Sequence, residues 1–512
     1  MLSLFEGLTS LHPASGSAMA GLATHYQVSP DGRQYRFYLR GHPNPRGIRL
    51  ADSSDLRGDS LHSRQSASVP APAARWSDDV LLTAQDFVYS WRRVLDPATA
   101  APDARLMYCL AGARDVNAGR LAAERLGVRA LDDFTLEAEL EAPTPYFPEL
   151  VSNIVYCPVP RHVIQAAGVR WTDPDRMVSN GAFVLRERRP YDRIVLARNE
   201  RYYEAREVAL RELVFMIVTD GNARLNLYRS GGAAVMFASI PAVIPALRRK
   251  KDFQAKPSYA SAFFVINTGT PPLDDVRVRY ALNMATDKRP LADLTQAGSI
   301  PAVGLVPATG GYQALKSLPI SIDGVEYDVL SFNPRAARQL LLKTGKTLPA
   351  HMECVGGNFA DTKLIQQVLQ RQWREHLGVD LEVIAEEVQT WIQSVHSGSY
   401  RHIADSGSPQ GSYVDPAWFL DLFRGSGGYG TGWSDPQYDA MLTAAEATVD
   451  PALRLAGLTR CERRLLEAMP IIPYCHEVQS VLTKPFVKGL GNNRIIRMQF
   501  KYAWIDTNWR PQ

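Results

Sequence analysis

An α/β architecture of more than one lobe is what this sequence predicts, and three observations predict it. The chain has 512 residues, 46% of them hydrophobic, more than a single core usually organises. Segments with the helical apolar period of about 3.6 alternate with segments of period two, so helix and sheet layers are both expected. Capping residues and glycine stops separate these segments into discrete elements.

In chain order, Ser29-Pro-Asp-Gly32 reads as a turn feeding a strand in which Tyr35, Phe37 and Leu39 alternate with Arg36, Tyr38 and Arg40. From Gly41 to about Arg75 the chain is rich in Pro, Ser, Arg, Gly and Asp without a period, as a surface insertion would be. Thr83, with Asp86 three residues on, caps a helix whose apolar stripe is Phe87, Val88, Trp91, Val94 and Leu95. Asp96-Pro97 ends it. Residues 134–142, FTLEAELEA, alternate as a strand with one wet face. Further strands are expected at Ile194–Ala197 and Tyr259–Asn267, and a helix opens at Asp274-Asp275 with Val276, Tyr280, Ala281 and Met284 inside. Asn333 as N-cap, Pro334 at the first position, Leu340 to Leu342 inside and Gly345 as stop define another helix. A helix over 361–377 stops at Gly378 before the strand VDLEVIAEEV.

Charge narrows the function. With 57 Lys and Arg against 53 Asp and Glu, the net charge is only +4, which argues against nucleic acid as a partner. The longest basic run, Arg248 to Lys251, follows an apolar helix-like stretch and reads as a solvated helix end. Cys109, Cys157, Cys354, Cys461 and Cys475 are scattered and odd in number, without C-x-x-C or metal-ligand spacing; they read as small buried hydrophobes. No metal or other cofactor is expected. No stretch reaches the roughly 18 to 20 uninterrupted apolar residues that span a bilayer.

Motifs of catalysis are weak. Gly58-Asp59-Ser60-Leu61 spells an esterase nucleophile block, yet it sits in the irregular insertion and its only D-x-x-H, Asp59 to His62, overlaps the block itself. The glycine-rich run at 425–432 leads into Trp433-Ser434-Asp435-Pro436, a turn without the Lys of a phosphate loop, and no G-x-x-x-x-G-K-[ST] exists. The chain is not its own ATPase. No pair of carboxylates and no Cys-His arrangement stands out, so catalytic residues are expected to be none.

Blocks covering nearly the whole chain resemble the extracytoplasmic oligopeptide-binding proteins of bacterial ABC importers, solute-binding family 5. They are WSDDVLLTAQDFVYSWRRVLDPATAAP at 76–102, VSNGAFVLRERRPYDRIVLARNERYY at 178–203, PPLDDVRVRYALNMATDK at 271–288 and AMPIIPYCHEVQSVLTKPFVKG at 468–489. Shorter matches are LFEGL at 4–8, FNPRAARQLL at 332–341 and YVDPAWFL at 413–420. The resemblance implies a periplasmic-binding-protein-like fold (type II, cluster C): two α/β lobes joined by a hinge, with an extra α/β domain. It places the extra domain at 6–160, the first lobe at 161–260 with 1–5 and 482–512, and the second lobe at 261–481. It also implies a periplasmic or extracytoplasmic monomer that captures a peptide in an interlobe cleft and passes it to a membrane permease and, indirectly, that importer's ATPase.

Candidate ligand contacts follow from the same resemblance. Tyr259, Ala260, Ser261 and Phe263 correspond to a cleft strand, although the run reads equally as core. Where the relatives carry an R-x-G-W-x-x-D-Y run whose Asp holds the peptide's amino group, this chain has Asp405-Ser-Gly-Ser-Pro-Gln-Gly411-Ser412 before Tyr413-Val-Asp415-Pro416. Ser412 cannot carry that charge, so Asp405 or Asp415 takes the role or the solute lacks a free amino terminus there. Asp103 stands where relatives have a tyrosine and adds negative charge. A same-fold binder of a non-peptide solute, a Ser60 esterase and a non-binding truncated copy are the alternatives. The opening MLSLFEGLTSLHP lacks an export signal and the strand expected before LFEGL, which suggests a start further upstream or a truncation.

Overall fold

The turn at Ser29–Gly32 closes as its composition requires. In the computed structural model Gly32 donates its N–H to the Ser29 carbonyl at 2.9 Å, with φ at +69°. The structure describes residues 2–13, 16–52, 71–101, 103–237, 243–295, 298–349, 351–425, 428–491, 494–495 and 498–510. The esterase-like block around Ser60 lies outside them, as does part of the glycine-rich run at 425–432.

The chain forms two units, Met1–Ala234 with Lys484–Gln512 and Val235–Thr483. It passes from one to the other twice.

In the first unit, β1 (Thr9–Leu11) and β2 (Ala18–Ala20) pair as a hairpin. A five-stranded antiparallel sheet combines β3 (Ala23–Val28), β4 (Gln34–Leu39), β5 (Ile48–Arg49), β6 (Val128–Asp132) and β7 (Thr135–Glu139) in the order β5-β3-β4-β7-β6. Among its described residues the insertion at 41–75 thus supplies one short strand. β7 is buried on both faces at Thr135 to Ala138 rather than wet on one: Glu137 is 3% exposed because the side chains of Arg36 on β4 and Arg129 on β6 fold over it and bond it at 2.7 Å and 2.6 Å. The helix Ala84–Leu95 covers this layer with Phe87, Trp91 and Leu95 buried, and the Thr83 N–H reaches Asp86 at 2.9 Å as the capping box predicts. A second antiparallel sheet holds β8 (Phe183–Arg189), β9 (Arg193–Arg198) and β10 (Glu212–Met216).

The second unit is built on one mixed sheet. Its strands are β11 (Val235–Phe237), β12 (Phe253–Ile266), β13 (Ile300–Pro301), β16 (His351–Gly357), β17 (Asp380–Glu386), β18 (Ile403–Asp405) and β19 (Ile471–Thr483), with β14 (Pro319–Ile322) and β15 (Val325–Asp328) as a separate hairpin. The order is β11-β19-β12-β18-β16-β17, with β13 on β19. Long β12 and β19 form its antiparallel spine, whereas β16 runs parallel to both β17 and β18. Residues 235–260, expected with the first lobe, fall in this unit, where β12 pairs with β19 over 253–257 and again from Ser261. Likewise 6–160 and 161–234 share one unit.

Local signals decide the helices here. Asp275 caps Val276–Met284 through the Arg277 N–H at 2.9 Å, and Asn333 caps Pro334–Thr344 through Ala336 at 3.0 Å. Gly345 and Gly378, at φ +66° and +73°, end Pro334–Thr344 and Ala360–Leu377. Among the described residues no helix is long and apolar enough to cross a membrane.

Candidate functional site

Parallel strands β16, β17 and β18 all end on one edge of the second unit, at Gly357, Glu386 and Asp405. In open α/β sheets ligands lie outside the carboxyl ends of such strands. The helices Ala360–Leu377 and Val388–Ser397 begin just after β16 and β17, which turns their N-termini to the same edge.

Asp405, the last residue of β18, is 1% exposed. Its Oδ1 accepts the Gly407 N–H at 2.9 Å and the Tyr474 hydroxyl at 3.4 Å, and its carbonyl accepts the Trp391 indole N–H at 2.9 Å. Burial pushes this carboxyl from the ordinary 3.8 up to about 7 against those hydrogen bonds, and the negative charges of Asp361 and Glu477 add to the rise. No Lys, Arg or His of the described residues offsets it. Burial likewise raises Glu477, which takes a hydrogen bond from Ser408. The edge therefore concentrates negative charge around Asp405, which makes no ion pair with a described residue.

Asp415 is occupied differently. It caps the helix Pro416–Asp421 through the Ala417 N–H at 2.9 Å and receives both arms of Arg454, at 2.7 and 2.9 Å. Both side chains of this bidentate pair are about nine-tenths buried. Its charge is already matched, so of the two carboxylates proposed from the sequence only Asp405 lacks a cationic partner.

The run Tyr259–Phe263 proves to be spent on the protein itself. On one side of β12, Ser261, Ala262 and Phe263 pair with His476, Cys475 and Pro473 of β19. On the other, the Tyr259 carbonyl accepts Gly411 N–H at 2.8 Å, Ala260 bridges Gln410, and Ser261 N–H donates to Pro409 at 3.3 Å. Further along, the Phe263 carbonyl accepts Ser406 N–H at 3.0 Å, and Phe263 N–H donates to the Ser406 hydroxyl at 3.3 Å. With both edges filled at Ser261 and Phe263, those two residues have no edge left for strand addition, whereas Tyr259 and Ala260 are engaged by 409–411 on one side. Side chains agree: Tyr259 meets Phe419 edge-on at 5.1 Å, and Phe263 packs on Phe423 and Tyr429. Ser261 Oγ is buried without a hydrogen-bond partner among the described residues.

The available edge lies one segment further out. The bonds from Gly411 to Tyr259 and from Ser261 to Pro409 flank the Ala260–Gln410 bridge, which turns the N–H and C=O of Gln410 away from β12. Neither group has a partner among the described residues, and Gln410 Nε2 is buried and unpartnered too. Glycines hold this segment in place. A Cβ at Gly411 would stand 2.4 Å from the Tyr259 ring, and one at Gly407 would stand 2.8 Å from Trp391. Ser412 is half-buried, and the carbonyl of buried Tyr413 accepts Asp415 N–H at 3.2 Å.

Nine of the ten residues proposed from the sequence thus lie in the second unit, while exposed Asp103 heads a turn in the first. Sequence reasoning missed Trp391, Gln410, Tyr474 and Glu477. The Asp-Ser-Gly order at 405–407 is an Asx-turn signal that marks the turn, but nothing in the sequence announces its distant partners. No group of three or more His, Cys, Asp or Glu side chains among the described residues is arranged to hold a metal, and no cysteine is in a disulfide.

Comparison with known proteins shows what the chain as a whole is similar to. Residues 72–431 match the model of the bacterial extracellular solute-binding proteins, family 5. The periplasmic oligopeptide-binding protein OppA of Escherichia coli K12 is 29% identical over 88% of this chain and 82% of its own length. The probable deoxycholate-binding periplasmic protein YgiS of the same strain is 28% identical over 96% and 85%. Among solved structures, the Escherichia coli murein tripeptide binding protein MppA superposes with a TM-score of 0.79 at 26% identity, covering 98% of this chain and 93% of that one. The expected fold class, an α/β periplasmic-binding-protein-like fold, is that of these neighbours.

Proposed function

The chain belongs to the bacterial extracellular solute-binding proteins of family 5, and from that premise we propose that it is the extracytoplasmic substrate-binding subunit of an ABC importer, capturing a peptide by a cationic group held at Asp405. The observation that carries this reading is the pairing of a buried carboxylate lacking a cation with an open backbone edge at Gln410. A peptide amino group would supply the missing charge, since a buried carboxylate is stabilised only when paired. The peptide backbone would bond to Gln410 as an added strand, and wet surroundings would accommodate its side chains. Relatives named for oligopeptides and a murein tripeptide support a peptide over other solutes.

A bile acid such as the deoxycholate named for YgiS carries a carboxylate. The carboxylates of Asp405, Glu477 and Asp361 disfavour a solute of that charge. Thermal-shift screening with tri- to pentapeptides tests the proposal: free-amine peptides are expected to stabilise the protein, and stabilisation by deoxycholate alone would refute it.

A further inference from the structure

We propose that the second unit carries a docking surface for anionic lipid headgroups at Arg248–Lys251, a role separate from solute capture. Four consecutive cations, Arg248, Arg249, Lys250 and Lys251, are all exposed, and Lys256 of β12 adds a fifth on the same short stretch. Arg248, Arg249 and Lys250 make no ion pair with any described residue, and Asp252 is the single acid between 243 and 257.

The cluster is the solvated helix end that the sequence predicts, yet the partial charge of that helix does not call for four cations. The helix Ile244–Leu247 has four residues, so its C-terminal partial charge is small and concerns its last turn alone. Nor is the knuckle a loose tail. Ile244 and Leu247 are buried beneath it, and backbone bonds run from Arg248 to Ile244 at 2.9 Å, from Lys250 to Leu247 at 2.8 Å and from Phe253 to Lys250 at 3.2 Å. The Asp252 carbonyl accepts the N–H of Thr483 at 2.9 Å, the last residue before the chain leaves this unit. The cations are thereby presented on a fixed turn.

The scarcity of apolar anchors selects the partner: the exposed one near Arg248 is the single side chain of Ile300, two residues from Gly298. Between 243 and 257 no large hydrophobic side chain is exposed, whereas protein interfaces depend on buried aromatic or aliphatic anchors at their centre. Adsorption to a charged bilayer needs none, because clustered Lys and Arg gain electrostatic energy near anionic headgroups directly. The chemistry recognised is the phosphate of an anionic phospholipid.

Co-sedimentation with vesicles tests this. Wild-type protein is expected to bind vesicles of equal parts phosphatidylglycerol and phosphatidylcholine at low salt, to detach at high salt, and to ignore phosphatidylcholine alone. The variant R248E/R249E/K250E should bind at least about tenfold more weakly. A control, R188E/R211E/R335E, reverses three other exposed cations and shifts the net charge from +4 to the same −2, yet should bind as wild type does. The neutral variant R248Q/R249Q/K250Q should also lose binding while keeping the wild-type melting temperature, which separates lost docking from lost folding. Equal losses in both reversed triples would reduce the effect to net charge and overturn the proposal. So would failure of the wild type to bind the anionic vesicles, including the case where it binds polyglutamate instead, as a seat for an acidic protein would.

Discussion

Replacing Asp405 by Asn should change the pH dependence of stability in a direction that burial dictates. The carboxyl is raised from 3.8 to about 7 by burial first and by neighbouring negative charge second. A difference of roughly three pH units, at about 1.36 kcal/mol each, corresponds to a contribution on the order of 4 kcal/mol. Its sign follows from proton counts. Between pH 4 and 7 the folded chain keeps a proton that the unfolded chain has released, so stability falls as pH rises through that window. Below the unfolded value the contribution is complete, and above 7 it is gone. The D405N protein keeps a neutral group throughout, with an amide oxygen still able to accept from Gly407. Urea unfolding of wild type and variant at pH 4.5 and pH 8, read by hydrogen exchange on amides of the second unit, measures the difference. Wild type should lose about 3 kcal/mol more than D405N between those values, because pH 4.5 already lies above the unfolded value. Parallel profiles would show instead that Asp405 is solvated as an ordinary carboxylate and that burial does not raise it.

Three further substitutions follow from the same structure. Arg454→Met leaves Asp415 buried without its partner and should cost about 3 to 5 kcal/mol in chemical denaturation, most of it recovered when Asp415 is also made apolar. Gly411→Ala drives a Cβ into the Tyr259 ring and should weaken solute affinity at least about tenfold in calorimetry, because the segment bearing Gln410 must shift. Burial lowers buried Lys288 from 10.5 to about 7, so its unfavourable contribution is complete below pH 7 and vanishes above 10.5. Lys288→Met should therefore raise the melting temperature at pH 6 and gain nothing at pH 10, where only the bond to Asn283 at 2.6 Å is lost.

What could be read from the sequence was what neighbouring residues determine. Thr83 with Asp86, Asn333 with Pro334, and Gly378 act within one helical turn, and each does in the structure what its spacing predicts. Strand burial depends on partners far along the chain. Glu137 looked solvated because period two says nothing about whether a second strand covers it, and Arg36 and Arg129 come from two other strands. The site divides in the same way. Asp405 and Gly411 were visible as departures from a family pattern, but Asp415 loses its candidacy to Arg454, 39 residues away on another helix. Similarly, Tyr259–Phe263 reads as an edge for a ligand until the chain's own 406–411 is found there.

In the proposed complex Asp405 receives the cationic end of a captured peptide. Titration calorimetry at pH 6.5, with each peptide in its free-amine and N-acetylated form and in two buffers of different ionisation enthalpy, tests it most directly. Binding of a free-amine peptide should release protons from the protein, because the ammonium draws Asp405 back into its charged form, and both acetylation and D405N should abolish the heat. Equal affinity for acetylated and free peptides, or heat that persists unchanged in D405N, would contradict it.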